Sequence, residues 1–229
     1  MNLKTNITGG VVALAMSTLG ASQAQAANLL VNGSFETPAV SNFFNVHGVG
    51  STGLTGWTIV ADEIAQSITF NAFGAMITAQ DGNNFLDLTG RNDGQNRWGG
   101  VTQNVATVAG ASYRLSFWLG NYDFQTTQTG VFAQAGSASN SFTLAPPTGG
   151  PRFNWENHTL DFLATGASTA ITLTGTSGHF YTGLDNVSVE FLSGPSGVPE
   201  PASWALMLAG FGGVGAAARR RAKLTVSYI

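Results

Sequence analysis

The sequence contains no cysteine, which excludes disulfides, thiol nucleophiles and zinc sites built on cysteine ligands. Charged residues are also scarce, since Asp, Glu, Lys and Arg make up only 9% of the 229 residues. Residues 27–198 contain no lysine, and their four arginines stand against eleven acidic residues. A nucleic-acid-binding protein needs a basic face, so this acidic composition argues against such a partner.

Motifs for catalysis are missing as well. The three histidines, His47, His158 and His179, lie apart in the sequence and have no serine or carboxylate motif around them. The sequence has no Gly-x-Ser-x-Gly, His-Glu-x-x-His or phosphate-binding loop. We therefore expect no enzymatic activity. A secreted glycan hydrolase that uses a pair of acidic residues is the least favoured alternative.

The C-terminus is the most informative part of what is present. It holds three features in order, which are Pro199-Glu200-Pro201, then Trp204-Ala205, then Arg219-Arg220-Arg221 after an apolar run. The 17 residues 202–218 carry no charge, and roughly 17 residues is the lower limit for crossing a bilayer core. This pattern predicts a single transmembrane helix over about 202–218, with the arginines on the cytoplasmic side.

These features resemble the PEP-CTERM sorting signal, in the variant that has Trp-Ala shortly after Pro-Glu-Pro. The resemblance covers residues 199–223. It implies that an exosortase, an integral-membrane cysteine protease, processes the C-terminus and passes the protein to the cell surface. It also implies a Gram-negative bacterium that makes exopolysaccharide. The alternative is an ordinary tail anchor that is never cut.

The N-terminus is typical of an export signal. Residues 1–26 combine Lys4, an apolar stretch over 11–19 and the sequence Ala24-Gln25-Ala26. Small residues at positions −3 and −1 predict cleavage after Ala26, following export by the Sec machinery. Together the two ends predict a precursor that is anchored transiently in the inner membrane and a product at the cell surface or in the extracellular matrix.

The body between the two signals has the composition of strands and turns. Short apolar segments alternate with Gly, Asn and Asp turns, which predicts an all-β fold over 27–192, an antiparallel β-sandwich of the jelly-roll type. Residues 193–198 form a Gly/Ser/Pro linker. Alternation in Tyr113–Leu119 places Trp118 on the polar face. Alternation in 185–191 predicts that Asp185 continues the inward row of Val187 and Val189.

Five segments of the body are similar to landmarks of carbohydrate-binding modules in the galactose-binding-like superfamily. In order they are Asn28–Glu36, Gly56-Trp57, Gly100–Val105, Tyr113–Phe117 and Leu184–Val189. The resemblance implies a polysaccharide-binding sandwich with a structural Ca²⁺ ion, for which Glu36 and Asp185 occupy the matching ligand positions. The alternative is that Asp185 caps a turn by accepting backbone N–H bonds, while Glu36 is solvated.

Sugar binding requires exposed aromatic planes beside forked polar groups. Two neighbourhoods meet that requirement in the sequence, which are Arg97 with Trp98 in a Gly-rich loop, and Trp118 with Tyr122 at a strand end. The alternative for each tryptophan is packing under a loop or against the second sheet. We expect an exported surface or matrix protein associated with exopolysaccharide in a biofilm. A purely structural surface protein without a ligand site is the main alternative.

Overall fold

The computed structural model describes residues 27–72, 74–91, 95–122, 127–148, 153–195 and 201–221. The predicted signal peptide with Ala26, the end of the linker, and Pro199 and Glu200 lie outside the described residues. The side chains of Pro201, Trp204, Ala205, Arg220 and Arg221 do so as well.

The body is all-β, as predicted, and its paired strands are antiparallel. Strands are numbered along the chain. In spatial order, the six-stranded sheet comprises β1 (Phe44–His47), β3 (Ile64–Ile68), β6 (Asn84–Asp87), β13 (Gly183–Ser193), β8 (Ser112–Tyr122) and β11 (Phe153–Leu163). The five-stranded sheet comprises β10 (Ala138–Leu144), β9 (Thr129–Ala135), β12 (Ser168–Ser177), β7 (Gly100–Ala106) and β2 (Thr58–Val60). A small hairpin consists of β4 (Phe70–Ala72) and β5 (Ala75–Ile77).

The two larger sheets share one apolar core. Alternation along β8 buries Tyr113, Leu115, Phe117 and Leu119, as the sequence predicts. The five-stranded sheet contributes fully buried aliphatic side chains to the same core, which are Val101, Val131, Ile171 and Leu173. Each large side chain buried in this way stabilises the fold by roughly 1.5–3 kcal/mol, so this core contributes strongly to holding the two sheets together.

A second apolar cluster lies on the outer face of the six-stranded sheet. This aromatic cluster consists of Ile77, Phe85 and Tyr122, with Phe70, Ala79, Phe153, Trp155, Phe180 and Tyr181 packed against them. The rings of Phe153 and Trp155 rest on two neighbouring glycines, Gly120 and Gly183, which face each other across β8 and β13. A Cβ atom at Gly120 would lie 2.7 Å from the Phe153 ring and 2.8 Å from the Trp155 ring.

Because of a β-bulge in β13, Asp185 has a different orientation from the one that alternation predicts. The register against β8 shifts between Asp185 and Ser188, so three steps on β13 match two on β8. Asp185 therefore faces outward opposite Trp118, while Val189 faces the core opposite Leu115. The inward row that alternation predicts for Asp185 is wrong, because strict period-2 alternation holds only where no extra residue interrupts the ladder.

The C-terminal helix α1 spans Pro201–Arg221. Its apolar side chains are exposed, among them Leu206, Leu208 and Phe211. The predicted transmembrane helix over 202–218 is not supported, since no helix within the described part of the chain is long and apolar enough to cross a membrane.

The close contact at Gly120 generates a test of the aromatic cluster. We expect Gly120→Ala to destabilise the protein by about 1–3 kcal/mol, because the added methyl group would displace the Phe153 and Trp155 rings. Urea unfolding monitored by tryptophan fluorescence measures the effect. Gly166→Ala is the matched control, since the nearest atom to a Cβ there is 3.9 Å away. An unchanged midpoint for Gly120→Ala would contradict the packing described.

Candidate functional site

A cleft of about 400 Å³ lies on the outer face of the six-stranded sheet. The strand register explains its floor, because Phe44 pairs with Ser67 and Ala65 pairs with Asp87, which puts these side chains on one face. The full lining consists of Phe43, Phe44, Ala65, Ser67, Phe70, Asp87, Gly90, Arg91 and Tyr181. Small-molecule sites usually have volumes of about 300–1,000 Å³, so the cleft has room for a ligand.

The walls of the cleft are aromatic. Phe43 is 69% exposed and Phe44 is 49% exposed, although burying side chains of this size is favourable. On the opposite wall, the rings of Phe70 and Tyr181 meet edge to face with centroids 5.6 Å apart. Tyr181 in turn contacts Tyr122 at 5.8 Å. This wall therefore rests on the aromatic cluster and is held by packing.

A shallower groove of about 290 Å³ adjoins the cleft. It is lined by Ser41, Asn42, Phe43 and Ile68, so Phe43 belongs to both depressions. A ligand that passes over the Phe43 ring would contact the cleft and the groove together. The pair of depressions therefore suits an elongated ligand better than a compact one.

Arg91 is the cation of the cleft, and Glu63 holds it. The Arg91 backbone N–H donates to Glu63 Oε1 at 2.8 Å, while Nε and Nη2 donate to Oε1 and Oε2 at 3.3 and 3.1 Å. These bonds lower the pKa of Glu63, and they raise the pKa of Arg91. Gly90 permits this approach, since its φ is +61° and a Cβ atom there would lie 3.0 Å from Glu63 Cγ.

Asp87 supplies the carboxylate of the cleft. It is buried at the end of β6, and its Oδ1 accepts bonds from the backbone N–H and the hydroxyl of Thr89 at 3.0 and 2.7 Å. The cleft thus combines apolar ring faces with a carboxylate and a guanidinium group. That combination can stack on a flat ligand and bond to its hydroxyl groups.

Trp98 and Arg97, which were predicted as ligand contacts, lie outside the lining of this cleft. Trp98 is half-buried, and its Nε1–H donates to the backbone oxygen of Gly178 at 3.0 Å. Its Cβ lies against Gly175, where an added methyl group would come within 2.7 Å. Arg97 Nη2 pairs with Asp62 Oδ2 at 2.6 Å. In the described structure, the contacts of Trp98 and Arg97 hold their loop against the rest of the body.

Trp118 and Tyr122 lie outside the lining of the cleft as well. Trp118 lies half-buried on the outer face of β8, opposite Asn157 of β11 and Asp185 of β13. Tyr122 is 3% exposed inside the aromatic cluster, and its contact with Tyr181 is its link to the cleft. Ligand binding by the four predicted residues stays a prediction.

Sequence reasoning missed the cleft residues themselves. Phe43, Phe44, Phe70, Arg91 and Tyr181 are distant in sequence and meet only in the folded chain. One local signal was available, since Phe43 and Phe44 form an aromatic pair between Ser41-Asn42 and Asn45. Because successive side chains of an extended segment point to opposite faces, an adjacent aromatic pair cannot bury both rings on one face of a sheet.

The two carboxylates predicted to bind calcium hold one loop. Asp185 is fully buried, and its Oδ2 accepts the N–H groups of Gln80 and Asp81 at 2.8 and 3.0 Å, while Oδ1 accepts that of Asn186 at 2.6 Å. Glu36 Oε1 accepts the N–H groups of Asn83 and Asn84, both at 2.8 Å. Burial raises the pKa of Asp185 to about 7, although the three N–H donors act to lower it.

This arrangement does not fit a Ca²⁺ ion shared by Glu36 and Asp185. Calcium needs six to eight oxygen ligands, whereas these oxygens face N–H donors. In the described part of the chain, no group of three or more His, Asp or Glu side chains is placed to hold a metal. The contacts match the turn-capping alternative for Asp185. Calcium binding stays a prediction.

Two family models match the chain. The model described as "Protein of unknown function (DUF642)" matches residues 28–189. The PEP-CTERM protein-sorting motif matches residues 197–221. The predicted sorting signal is therefore confirmed, and the chain is that of an exported protein with a C-terminal sorting signal. Halomucin of Haloquadratum walsbyi is 29% identical over 191 residues, which are 80% of this chain but 2% of halomucin.

Solved structures of carbohydrate-binding modules are also similar to this chain. TmCBM61 in complex with β-1,4-galactotriose has a TM-score of 0.38 and 16% identity, covering 73% of this chain and 100% of that one. The CBM22-1 xylan-binding domain from Paenibacillus barcinonensis Xyn10C has a TM-score of 0.40 and 15% identity, covering 66% and 94%. Likeness at these TM-scores says nothing about what this chain binds.

The buried carboxylate generates a pH prediction. The pKa of Asp185 is about 7 in the folded state against 3.8 for the ordinary side chain, so the folded state binds its proton more tightly. Its stabilising contribution is complete below pH 3.8 and is lost as the pH rises through about 7. Between about pH 5 and pH 8 we expect a loss on the order of 2 kcal/mol.

Thermal unfolding of the wild type and Asp185→Asn at these two pH values measures this contribution. The variant cannot titrate at this position, so its melting temperature should change less between the two values. Asp161→Asn is the control, because an exposed ion pair with Arg114 lowers the pKa of Asp161 and keeps its titration below this range. Equal pH slopes for the wild type and Asp185→Asn would mean that Asp185 stays ionised in the folded protein.

Proposed function

The chain belongs to the DUF642 family of proteins of unknown function, and on that premise we propose that it is a surface protein that binds polysaccharide through its cleft. The observation that carries the proposal is the position of Phe43, Phe44 and Tyr181 beside Asp87 and Arg91 in one cleft. Sugar rings have apolar C–H faces and hydroxyl edges. The aromatic walls suit the faces, and the two charged side chains suit the edges.

The exposure of the two phenylalanines supports a binding role. Phe43 and Phe44 present large apolar areas to water at the mouth of the cleft, and covering such area is favourable by roughly 25 cal/mol per Å². A bound sugar chain would cover Phe43 from both the cleft and the adjoining groove. We therefore infer that the ligand is a polysaccharide segment of several sugar units.

The proposed role is binding without catalysis. Glycoside hydrolysis usually needs two carboxyl groups that flank the scissile bond. The cleft lining includes one carboxylate, Asp87, and the nearby Glu63 is engaged by Arg91. Two histidines lie away from the lining, where His47 faces Gln66 and His158 packs between Phe117 and Phe142.

The proposed route to the surface follows from the sorting motif. Residues 1–26 direct export through the Sec machinery, with cleavage after Ala26. An exosortase then removes the C-terminal signal and leaves the body at the cell surface or in the extracellular matrix. There it associates with exopolysaccharide in the biofilm of a Gram-negative bacterium. The match to the sorting motif over residues 197–221 supports this route.

A purely structural surface protein is the second candidate, and the tryptophans favour it. Trp57, Trp98 and Trp155 each donate the indole N–H to a backbone oxygen, at 3.0, 3.0 and 2.8 Å. Such bonds stabilise the framework and leave these rings less suited to recognition. The structural alternative predicts that no substitution in the cleft changes the affinity for any glycan.

A glycan array followed by titration tests the cleft. We expect Phe43→Ala and Arg91→Ala each to weaken binding by roughly tenfold or more, because each removes a direct contact worth about 1–3 kcal/mol. Trp98→Ala and Trp118→Ala, tested alongside, separate the cleft from the sites predicted from sequence. Larger losses for these two would place the ligand elsewhere.

Phe132→Ala is the matched control for Phe43→Ala. Phe132 is also a partly exposed phenylalanine, 36% exposed, but it belongs to β9 in the five-stranded sheet. Its removal should leave the affinity unchanged within about twofold. An equal loss for Phe132→Ala and Phe43→Ala would favour non-specific adhesion over recognition in the cleft.

Processing generates a separate prediction. Because the C-terminal signal is removed in the proposed route, the protein released from the cell surface should lack residues 204–229. Intact-mass spectrometry of that product measures the cut. A chain without its signal motif, made by replacing Pro199-Glu200-Pro201 with alanines, serves as the control and should stay unprocessed. Surface-released protein that still contains Arg219–Arg221 would contradict the route.

A further inference from the structure

The arginines in the described part of the body share one property. The three that the structure describes each form an ion pair, Arg91 with Glu63 at 3.1 Å, Arg97 with Asp62 at 2.6 Å, and Arg114 with Asp161 at 2.7 Å. Two of these pairs have bidentate geometry, since Arg91 and Arg114 each contact both oxygens of the partner carboxylate. The positive charge of each is therefore largely balanced where it lies.

The rest of the body adds negative charge. Residues 27–198 contain no lysine and have eleven acidic residues against four arginines. A uronate or sulfated polysaccharide carries a regular row of negative charges. Approach of such a chain to this body would be repelled at long range, and contact in the cleft would meet a guanidinium group already neutralised by Glu63.

The cleft itself contributes another carboxyl group. Its lining contains Asp87 and Arg91, and Glu63 lies directly behind Arg91. Glu63 thus balances the Arg91 guanidinium group, and Asp87 lies in the same lining. A neutral hydroxyl group can donate to a carboxylate oxygen and accept from an N–H group, whereas a carboxylate of the ligand can only accept.

We propose that the cleft takes a neutral polysaccharide and discriminates against acidic ones, with Glu63 as the positioning residue that sets this preference. The inference rests on the proposed function and specifies its ligand class. Glu63 acts through Arg91, because it fixes the guanidinium group from the loop side and balances its charge. Because the charge of Arg91 is balanced, the cleft offers no free positive charge that would attract an acidic polysaccharide in place of a neutral one.

The experiment titrates the full-length protein with two panels of polysaccharides. The neutral panel contains a β-glucan, a galactan and a mannan, and the acidic panel contains polygalacturonate and alginate. We expect at least one neutral polymer to bind, with an affinity that changes less than about twofold between roughly 20 and 200 mM NaCl. The acidic polymers should bind at least about tenfold more weakly.

Two results would overturn the inference in distinguishable ways. Tighter binding of an acidic polymer, weakened by salt, would refute the ligand class and leave the proposed polysaccharide-binding function standing. Absence of binding by both panels would remove the proposed function and this inference with it. Both results are obtained with the wild-type chain, so neither depends on a variant that folds.

Glu63→Gln tests the role of the positioning residue. The amide oxygen can still accept the Arg91 backbone N–H bond, so the loop is retained while the guanidinium charge is released. We expect the affinity for polygalacturonate to rise roughly fivefold at low salt, the factor for one charge contact in water. The ratio of the polygalacturonate affinity to the neutral-polymer affinity should therefore rise above that of the wild type.

Asp161→Asn is the matched control. It releases Arg114, an arginine on β8 that is not part of the cleft lining. Its affinity for both panels should stay within about twofold of the wild type. An equal gain in polygalacturonate binding for Asp161→Asn and Glu63→Gln, or no gain for Glu63→Gln, would refute the role of Glu63.

Discussion

The buried carboxylate of Asp185 is the interaction on which the outer face of this protein depends. It accepts N–H bonds from Gln80 and Asp81, more than a hundred residues away in sequence, while Glu36 accepts those of Asn83 and Asn84. Backbone N–H groups buried without partners are costly. These two side chains supply hydrogen-bond acceptors for loop N–H groups that would otherwise need water. The loop connects β5 to β6. These bonds hold the loop, and with it the layer of side chains that covers the outer face of the six-stranded sheet.

That covering in turn supports the cleft. Trp155 donates its indole N–H to the Thr78 oxygen at 2.8 Å, and its ring rests on Gly120 and Gly183. The aromatic cluster continues through Tyr122 to Tyr181, which is a wall of the cleft. The cleft is thus built on a packed layer outside the main core, and one wall is rigid while the exposed phenylalanines form the other. A rigid wall lowers the conformational entropy that the protein itself loses when a ligand binds.

How much could be predicted differs between the fold and the site. The alternation in β8 predicted its buried side chains correctly, because β8 keeps a regular ladder over its length. The same rule placed Asp185 on the wrong face, since a bulge adds one residue before Ser188. The site was harder still. Trp98 was chosen for its polar, Gly-rich surroundings in sequence, yet it packs on Gly175 and bonds to Gly178.

The sequence by itself determined the all-β class, the acidic and cysteine-free body, and the C-terminal sorting signal. These properties depend on composition, on alternation and on contiguous residues, all of which can be seen in a linear chain. Only the tertiary structure decided where the cleft lies and how Arg91 is neutralised by Glu63. Strand order brings together β1, β3, β6 and the Tyr181 loop, and such long-range pairing leaves no local trace in the sequence. The apolar run at the C-terminus is a case between the two. Its charge-free length was evident in the sequence, whereas no helix in the described part of the chain is long and apolar enough to cross a membrane.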